Sequence, residues 1–186
     1  MAEDKREKIL AATLELVARH GFHGTPASQI AQQAGVGVGT IYRYFKDKDE
    51  LIHALFLEVR TELRHRIITD LPAESDLKQR FFAFFERMLQ EFISHPLEFR
   101  FLEQYHYSPY STCHEEDAEA SDDELLKLLR DLRNAELIKE LPRVVLKALT
   151  FGPLSSLARE HESRPFPIDD ELIKITIQSC WDAIKR

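Results

Sequence analysis

GVGVGTIYRYFKDKDEL, residues 35–51, decides how this chain is read. Its glycines stand at 35, 37 and 39, and Tyr42 and Tyr44 follow with Arg43, Lys46 and Lys48 among them. Such a stretch could cradle a phosphate, serve as linker, or turn tightly between two helices. A dinucleotide fingerprint needs G-x-G-x-x-G directly after a strand, but here residues 26–34 read as a short helix opened by proline. A linker would not place Val36, Ile41 and Phe45 at the spacing of residues buried against other helices. What remains is helix, tight turn, helix within about twenty residues. Gly35 makes the turn, Ala31 and Ala34 let the second helix approach the third, and Gly39 lets backbone come close to whatever lies outside.

With Ile41 and Phe45 inward, Val38, Thr40, Tyr42, Arg43 and Tyr44 are left on or near the outer surface. Tyr and Thr hydroxyls grouped with Arg43, Lys46 and Lys48 suit phosphate oxygens and base edges. Helix N-termini expected at Thr25 and Lys48 add N–H groups and a positive dipole end for the same phosphates. Upstream, Asp4 and Glu7 have the spacing of a capping box, and Ile9, Leu10, Thr13, Leu14 and Val17 form one face of a first helix that Gly21 stops. Thr25-Pro26 reads as N-cap and first-position proline of the second helix. Asp47 and Glu50 repeat the capping-box layout ahead of a fourth.

The remainder is helical too. Five of the six glycines fall between Gly21 and Gly39, and apolar residues elsewhere recur every three or four positions. Leu51, Leu55, Val59, Leu63 and Ile67 trace one stripe; Leu77, Phe81, Phe84, Phe85, Met88 and Phe92 trace another. Pro96 opens a further helix rich in Phe and Tyr. Residues 111–124 are acidic and read as a connection, followed by helices over 122–133, 142–159 with Gly152-Pro153 as a kink, and 169–186. The expected fold is all-α, with a three-helix helix-turn-helix domain over residues 1–47 and a helical bundle over 48–186.

Charge divides along the same line. Residues 1–50 are neutral, so the net charge of −7 lies entirely beyond them, and the first part is the better suited to approach a polyanion. No apolar run is long enough to span a bilayer and no signal-peptide core follows the N-terminus, so a soluble cytoplasmic protein without membrane association is expected. Cys113 and Cys180 form neither a disulfide framework nor a metal-ligand spacing. Cys113 beside His114 is read as incidental, and no nucleophile, base and orienter pattern nominates an enzyme; metal and cofactor are not expected.

The run KREKILAATLELVARHGFHGTPASQIAQQAGVGVGTIYRYFKDKDELI resembles the DNA-binding domain of TetR/AcrR-family transcriptional regulators. The shared pattern is a helix, G-F/Y-x-x-T, a short I-A-x-x-A-G-V helix, then G-T-I-Y-x-Y-F-x-x-K-x-x-L, covering about residues 5–52. The resemblance implies a repressor-like homodimer that binds a double-stranded DNA operator, and a C-terminal domain that binds a small effector. It assigns Thr25, Tyr42, Tyr44 and Lys48 to phosphate contacts and turns Val38, Gly39, Thr40 and Arg43 to the major groove. Gly37 departs from the family, which often has a capping serine there.

In the second part, seven of the twelve phenylalanines fall between Phe81 and Phe101, with Tyr105, Tyr107 and Tyr110 close behind. Bundles of this kind build ligand sites between helices, and Phe85, Met88, Phe92, Phe101, Leu102 and Tyr105 are the expected wall for an apolar or aromatic effector. Ile173, Ile177, Trp181 and Ile184 belong to a last helix whose apolar residues cover more than one face. Together with the small residues Gly152, Ser155 and Ser156 they are expected to form a four-helix dimer interface. The competing expectation is a helical small-molecule-binding or scaffolding protein whose helix-turn-helix no longer reads DNA.

Overall fold

The computed structural model describes residues 2–69, 71, 76–112, 124–164 and 166–186. Among them lie α1 (Ala2–His20), α2 (Ala27–Gln33), α3 (Val38–Tyr44), α4 (Lys48–Thr69), α5 (Leu77–Ser94), α6 (Pro96–His106), α7 (Pro109–Thr112), α8 (Glu124–Asn134), α9 (Arg143–Ser163) and α10 (Asp170–Ile184). The fold is all-α, and the described residues form no strand; an isolated antiparallel bridge pairs Ile138 with Lys185.

Packing groups these helices into two compact units. One holds α1–α3, α4 as far as Leu63, and α6 with α7; the other holds α4 from Arg64, α5, and α8–α10. In chain order, α6 and α7 therefore stand between two segments of the second unit while packing within the first. The division at residue 47 separates presumed roles, whereas packing cuts the chain at Leu63 and Ser94.

The first unit closes on the face expected of α1. Ile9, Leu10 and Val17 are buried with Phe22, Ile30, Ile41, Phe45, Leu51, Ile52 and Leu55, and α6 adds Phe101 and Tyr105 to the same core. Thr13 shares that face at no polar cost, because its Oγ1 donates to the Ile9 carbonyl at 2.7 Å. Two corners need glycine: Gly21 and Gly35 have φ of 74° and 66°, a region in which a side chain is strained. Ahead of α4 the Asp47 half of the expected capping box is formed, Glu50 N–H donating to Asp47 Oδ1 at 2.8 Å, while Glu50 Oε2 accepts from Lys46 N–H at 2.6 Å, one residue ahead of the capping position. Asp4 and Glu7 do not make one, since α1 begins at Ala2 and places Asp4 inside the helix, where it pairs with Lys8 at 3.0 Å.

The second unit is organised by α5. Phe81, Phe84, Phe85, Met88, Leu89 and Phe92 are buried along it, and α10 presents Ile173, Ile177, Cys180, Trp181 and Ile184, also buried. Trp181 meets Phe81 edge-on at 5.1 Å between ring centroids, and Phe92 meets Phe151 of α9 at 5.6 Å. Glu91 is the charged residue on this buried face: Arg66 Nε donates to it at 2.6 Å and Arg87 Nε lies 3.5 Å from its other oxygen. Asp169 caps α10 by accepting from Leu172 N–H at 2.9 Å. Helix α9 continues through Pro153 to Ser163, four residues past the expected end. The short α7 ends at Thr112, its last two residues inside the stretch expected to be a connection, and Cys113 and His114 lie outside the described residues.

Candidate nucleic-acid interface

Helix α3 starts at Gly37, which is extended (φ −77°, ψ 148°) and whose carbonyl accepts from Thr40 N–H at 2.8 Å. No side chain caps this end. A Cβ at Gly37 would come no closer than 4.0 Å to Thr40 Oγ1, so the family's serine would fit there sterically. Along the helix, Ile41 is buried and Phe45 beyond it also, while Val38, Gly39, Tyr42 and Arg43 are exposed. Positions 38 and 42, and 39 and 43, are each one turn apart, so the four share one outward face. Thr40 and Tyr44 flank it, half-buried. A Cβ built on Gly39 meets nothing within 4 Å, which leaves the backbone there open to close approach. Arg43 and the exposed Lys46 bring positive charge, and Tyr42 and Thr40 bring hydroxyls, the donor and acceptor set that phosphates and base edges take.

Two expected phosphate ligands are turned elsewhere. Thr25 is fully buried and gives its hydroxyl proton to the Gly21 carbonyl at 2.8 Å; it does not cap α2, whose N-cap is Pro26 with no side-chain bond. The reason is the tight α1–α2 corner, which leaves carbonyls of the α1 end needing donors. Lys48 is half-buried, and its Nζ donates to the Phe22 carbonyl at 2.5 Å. Burial pulls the Lys48 ammonium below the ordinary lysine range, with Asp49 opposing. Both residues therefore hold the corner together, and Lys48 has two further N–H donors.

That corner involves residues that spacing did not single out. Gly24 is there because a Cβ would collide with the His20 backbone carbonyl. Tyr110 of α7 lies against Phe22, ring centroids 4.9 Å apart. Tyr105 stacks on Phe56 at 3.9 Å, its OH within 3.2 Å of His53 Nδ1 and donating to the Tyr110 carbonyl at 3.3 Å. Arg6 of α1 donates to Glu58 of α4 at 2.9 Å and lies 5.8 Å from the Phe45 ring centre. The Phe22–Tyr110, Phe56–Tyr105, His53–Tyr105 and Arg6–Glu58 pairs are about fifty residues or more apart in the chain, beyond the reach of any helical period; aromatic richness around residue 105 was the one available signal for them.

The expected effector wall falls in two places. Phe101, Leu102 and Tyr105 pack in the first unit's core, whereas Phe85, Met88 and Phe92 are buried in the second. Within the second unit, a cavity of about 180 Å³ is lined by Ile67, Leu71, Ala83, Glu86, Arg87 and Gln90, none of which was singled out for the wall.

The expected dimer residues need correction. Ile173, Ile177, Trp181 and Ile184 are buried within the single chain, and Ser155 is buried with its Oγ donating to the Phe151 carbonyl at 3.0 Å. Helix α10 packs both apolar sides against α5 and α9, which consumes the face assigned to a partner. Ser156 is exposed and Gly152 half-buried on α9, and the side of α10 open to solvent carries Ile175.

A short helix set across a glycine turn, presenting one polar face while its other side joins a helical core, defines a helix-turn-helix DNA-binding protein. Comparison makes the class specific. Residues 9–55 match the family model for bacterial regulatory proteins of the tetR family, and residues 76–185 match that of a tetracyclin repressor-like C-terminal domain. The chain belongs to the TetR family of DNA-binding transcriptional regulators. It is 27% identical to an uncharacterized HTH-type transcriptional regulator of Haemophilus influenzae, over 98% of this chain and 97% of the relative. The fatty acid metabolism regulator protein of Bacillus subtilis is 37% identical, but over 41% of this chain and 39% of the relative's length. Among solved structures, a TetR family transcription regulator from Marinobacter aquaeolei superimposes with a TM-score of 0.89 at 28% identity, covering 99% and 97% of the two chains. A Shewanella counterpart gives 0.88 at 25% identity, over 98% of each chain.

Proposed function

We propose that this regulator is a cytoplasmic repressor that binds an inverted-repeat operator as a homodimer and releases it when a small apolar or aromatic effector binds the C-terminal unit. The observation that carries the DNA reading is the outward face of α3, where Val38, Gly39, Tyr42 and Arg43 are exposed over buried Ile41. Arg43 and Thr40 read base edges, Val38 and Gly39 allow the helix to approach the groove, and Tyr42 and Tyr44 hold phosphates, joined by the two Lys48 N–H donors that its bond to the Phe22 carbonyl leaves over. Thr25 serves this interface by shaping the corner. Two such helices related by a dimer axis meet half-sites about 34–36 Å apart or a multiple of it.

The second chain docks on what α9 and α10 leave open, Gly152 and Ser156 with Ile175, since Ile173, Ile177, Trp181 and Ile184 are used inside the subunit. The effector contacts the part of the expected wall that lies in the second unit, Phe85, Met88 and Phe92. The fatty acid regulator named above is similar through its DNA-binding end, so it supports the interface and says nothing of the effector. Release follows only if the effector binds a DNA-incompetent arrangement better than the competent one.

The test is selection of binders from a random duplex pool at near-physiological salt. Enrichment of an inverted repeat is expected; Arg43→Ala should lose preference among its variants, by about 1–3 kcal/mol at one position, while weakening random DNA little. Equal loss on selected and random duplexes removes Arg43 from base readout.

A further inference from the structure

Four of the five glycines between residues 21 and 39 are explained within the fold. Gly21 and Gly35 take left-handed φ values, and a Cβ on Gly24 would collide with the His20 carbonyl. Gly37 is the N-cap of α3, a place that glycine fills nearly as well as serine. Gly39 differs. It lies inside α3 with φ outside the left-handed region, and a Cβ built on it meets nothing within 4 Å among the described residues. In a helix interior glycine weakens the fold relative to alanine, because it loses more backbone freedom on folding. An alanine would fit here and stabilise α3, so the packing of the described residues does not call for the missing side chain.

What the glycine does is leave the backbone bare on the face where Val38, Tyr42 and Arg43 are exposed. Arg43 follows Gly39 by one turn on that face. It is exposed, and no described residue holds it by a hydrogen bond or an ion pair. A guanidinium presents a fixed fork of N–H donors that matches O6 and N7 of guanine in the major groove. That match is short-ranged, since hydrogen bonds form at about 2.7–3.2 Å and are lost by about 3.6 Å. A Cβ at position 39 would stand a full covalent bond farther out than the Cα and meet the base-pair edges first. The helix would be lifted by more than this margin, and Arg43 with it.

We propose that Gly39 is a specificity-determining residue: its bare backbone lets α3 seat against the base-pair edges closely enough for Arg43 to reach a guanine. This rests on the DNA reading above and adds the base that is read and the residue that sets the depth.

Gly39→Ala should move stability and recognition in opposite directions. The variant is expected to melt about 2 °C above wild type, as an alanine placed in open helix should. It is expected to bind the selected duplex about tenfold more weakly and random duplex within about twofold of wild type. Duplex selection repeated with Gly39→Ala should relax preference at one base pair of each half-site, a guanine in the wild-type motif, and Arg43→Ala should relax the same one. In the Arg43→Ala background, Gly39→Ala should raise the midpoint as before and cost no further affinity. A lowered midpoint would mean that the fold itself needs the glycine, and it overturns the inference. So does unchanged affinity, an equal loss on both duplexes, a tenfold loss that persists without Arg43, relaxation at different base pairs, or a shared base pair without guanine. With wild type still enriching an inverted repeat, those results leave the operator reading in place; failure of wild type to enrich any duplex removes both.

Discussion

Replacing Trp181 with alanine separates the two roles its helix could serve. Trp181 is the sole tryptophan, 5% exposed, with ring contacts to Phe81 at 5.1 Å and Phe82 at 6.2 Å and with Lys78 Nζ 5.7 Å above it. Deleting a buried aromatic ring removes its transfer free energy and leaves a cavity that the neighbours fill only in part, about 3–5 kcal/mol. Lys78 is exposed, so its attraction to the ring adds little in water. For a chain of this size each kcal/mol moves the midpoint by about 2–4 °C, so a drop of about 10 °C is expected. The assay is thermal unfolding followed by far-ultraviolet circular dichroism at two protein concentrations a hundredfold apart. If Trp181 is core, the wild-type-to-variant difference is the same at both concentrations. If the side chain faces a second chain, the variant keeps its midpoint at high concentration and loses it on dilution, because the missing energy belongs to association. That second result would refute the burial argument made for α10.

Gly24→Ala should destabilise the first unit and weaken operator binding together, because the new methyl meets a main-chain carbonyl that cannot move away without opening the α1–α2 corner; thermal melts and duplex titrations on one preparation check it. Glu91→Ala should destabilise the second unit, since it removes a buried carboxylate that Arg66 and Arg87 hold at 2.6 and 3.5 Å; chemical denaturation measures it. Burial pushes the Cys180 thiol up to about 11, so Cys180, followed by peptide mapping, should resist alkylation at pH 8 in the native protein and react once unfolded in urea. Because the folded-state value lies above the unfolded one, this group's contribution to stability is present below about pH 8.5 and is lost as pH rises toward about 11. Rapid native-state labelling at pH 8 would show that Cys180 is not buried as described.

Local physics made much of the DNA-binding part readable in advance. The turn at Gly35, the burial of Ile41 and Phe45, the Asp47 cap on Glu50 N–H, and the exposed set on α3 all depend on residues within one or two helical turns of each other, and such patterns are written directly in residue order. The same holds for the all-helical character of the chain. Asp4 was misread because a capping signature says nothing about whether residues ahead of it continue the helix.

The long-range pairings were decided by the tertiary structure. Thr25 and Lys48 look like surface donors at helix starts, yet the corner they sit in has carbonyls in want of partners, and an unpaired carbonyl there costs more than a solvated hydroxyl gains. The α10 residues show two apolar sides in either environment, and periodicity cannot tell a helix clasped between α5 and α9 from one shared with another chain. Phe85 and Phe101 are alike in composition and neighbourhood but pack in different cores, because the chain leaves one unit at Ser94 and enters the other with α6. Order along the chain determines which helices form and which faces they own; which face meets which is set by the whole chain's competition to bury its apolar surface with every polar group paired.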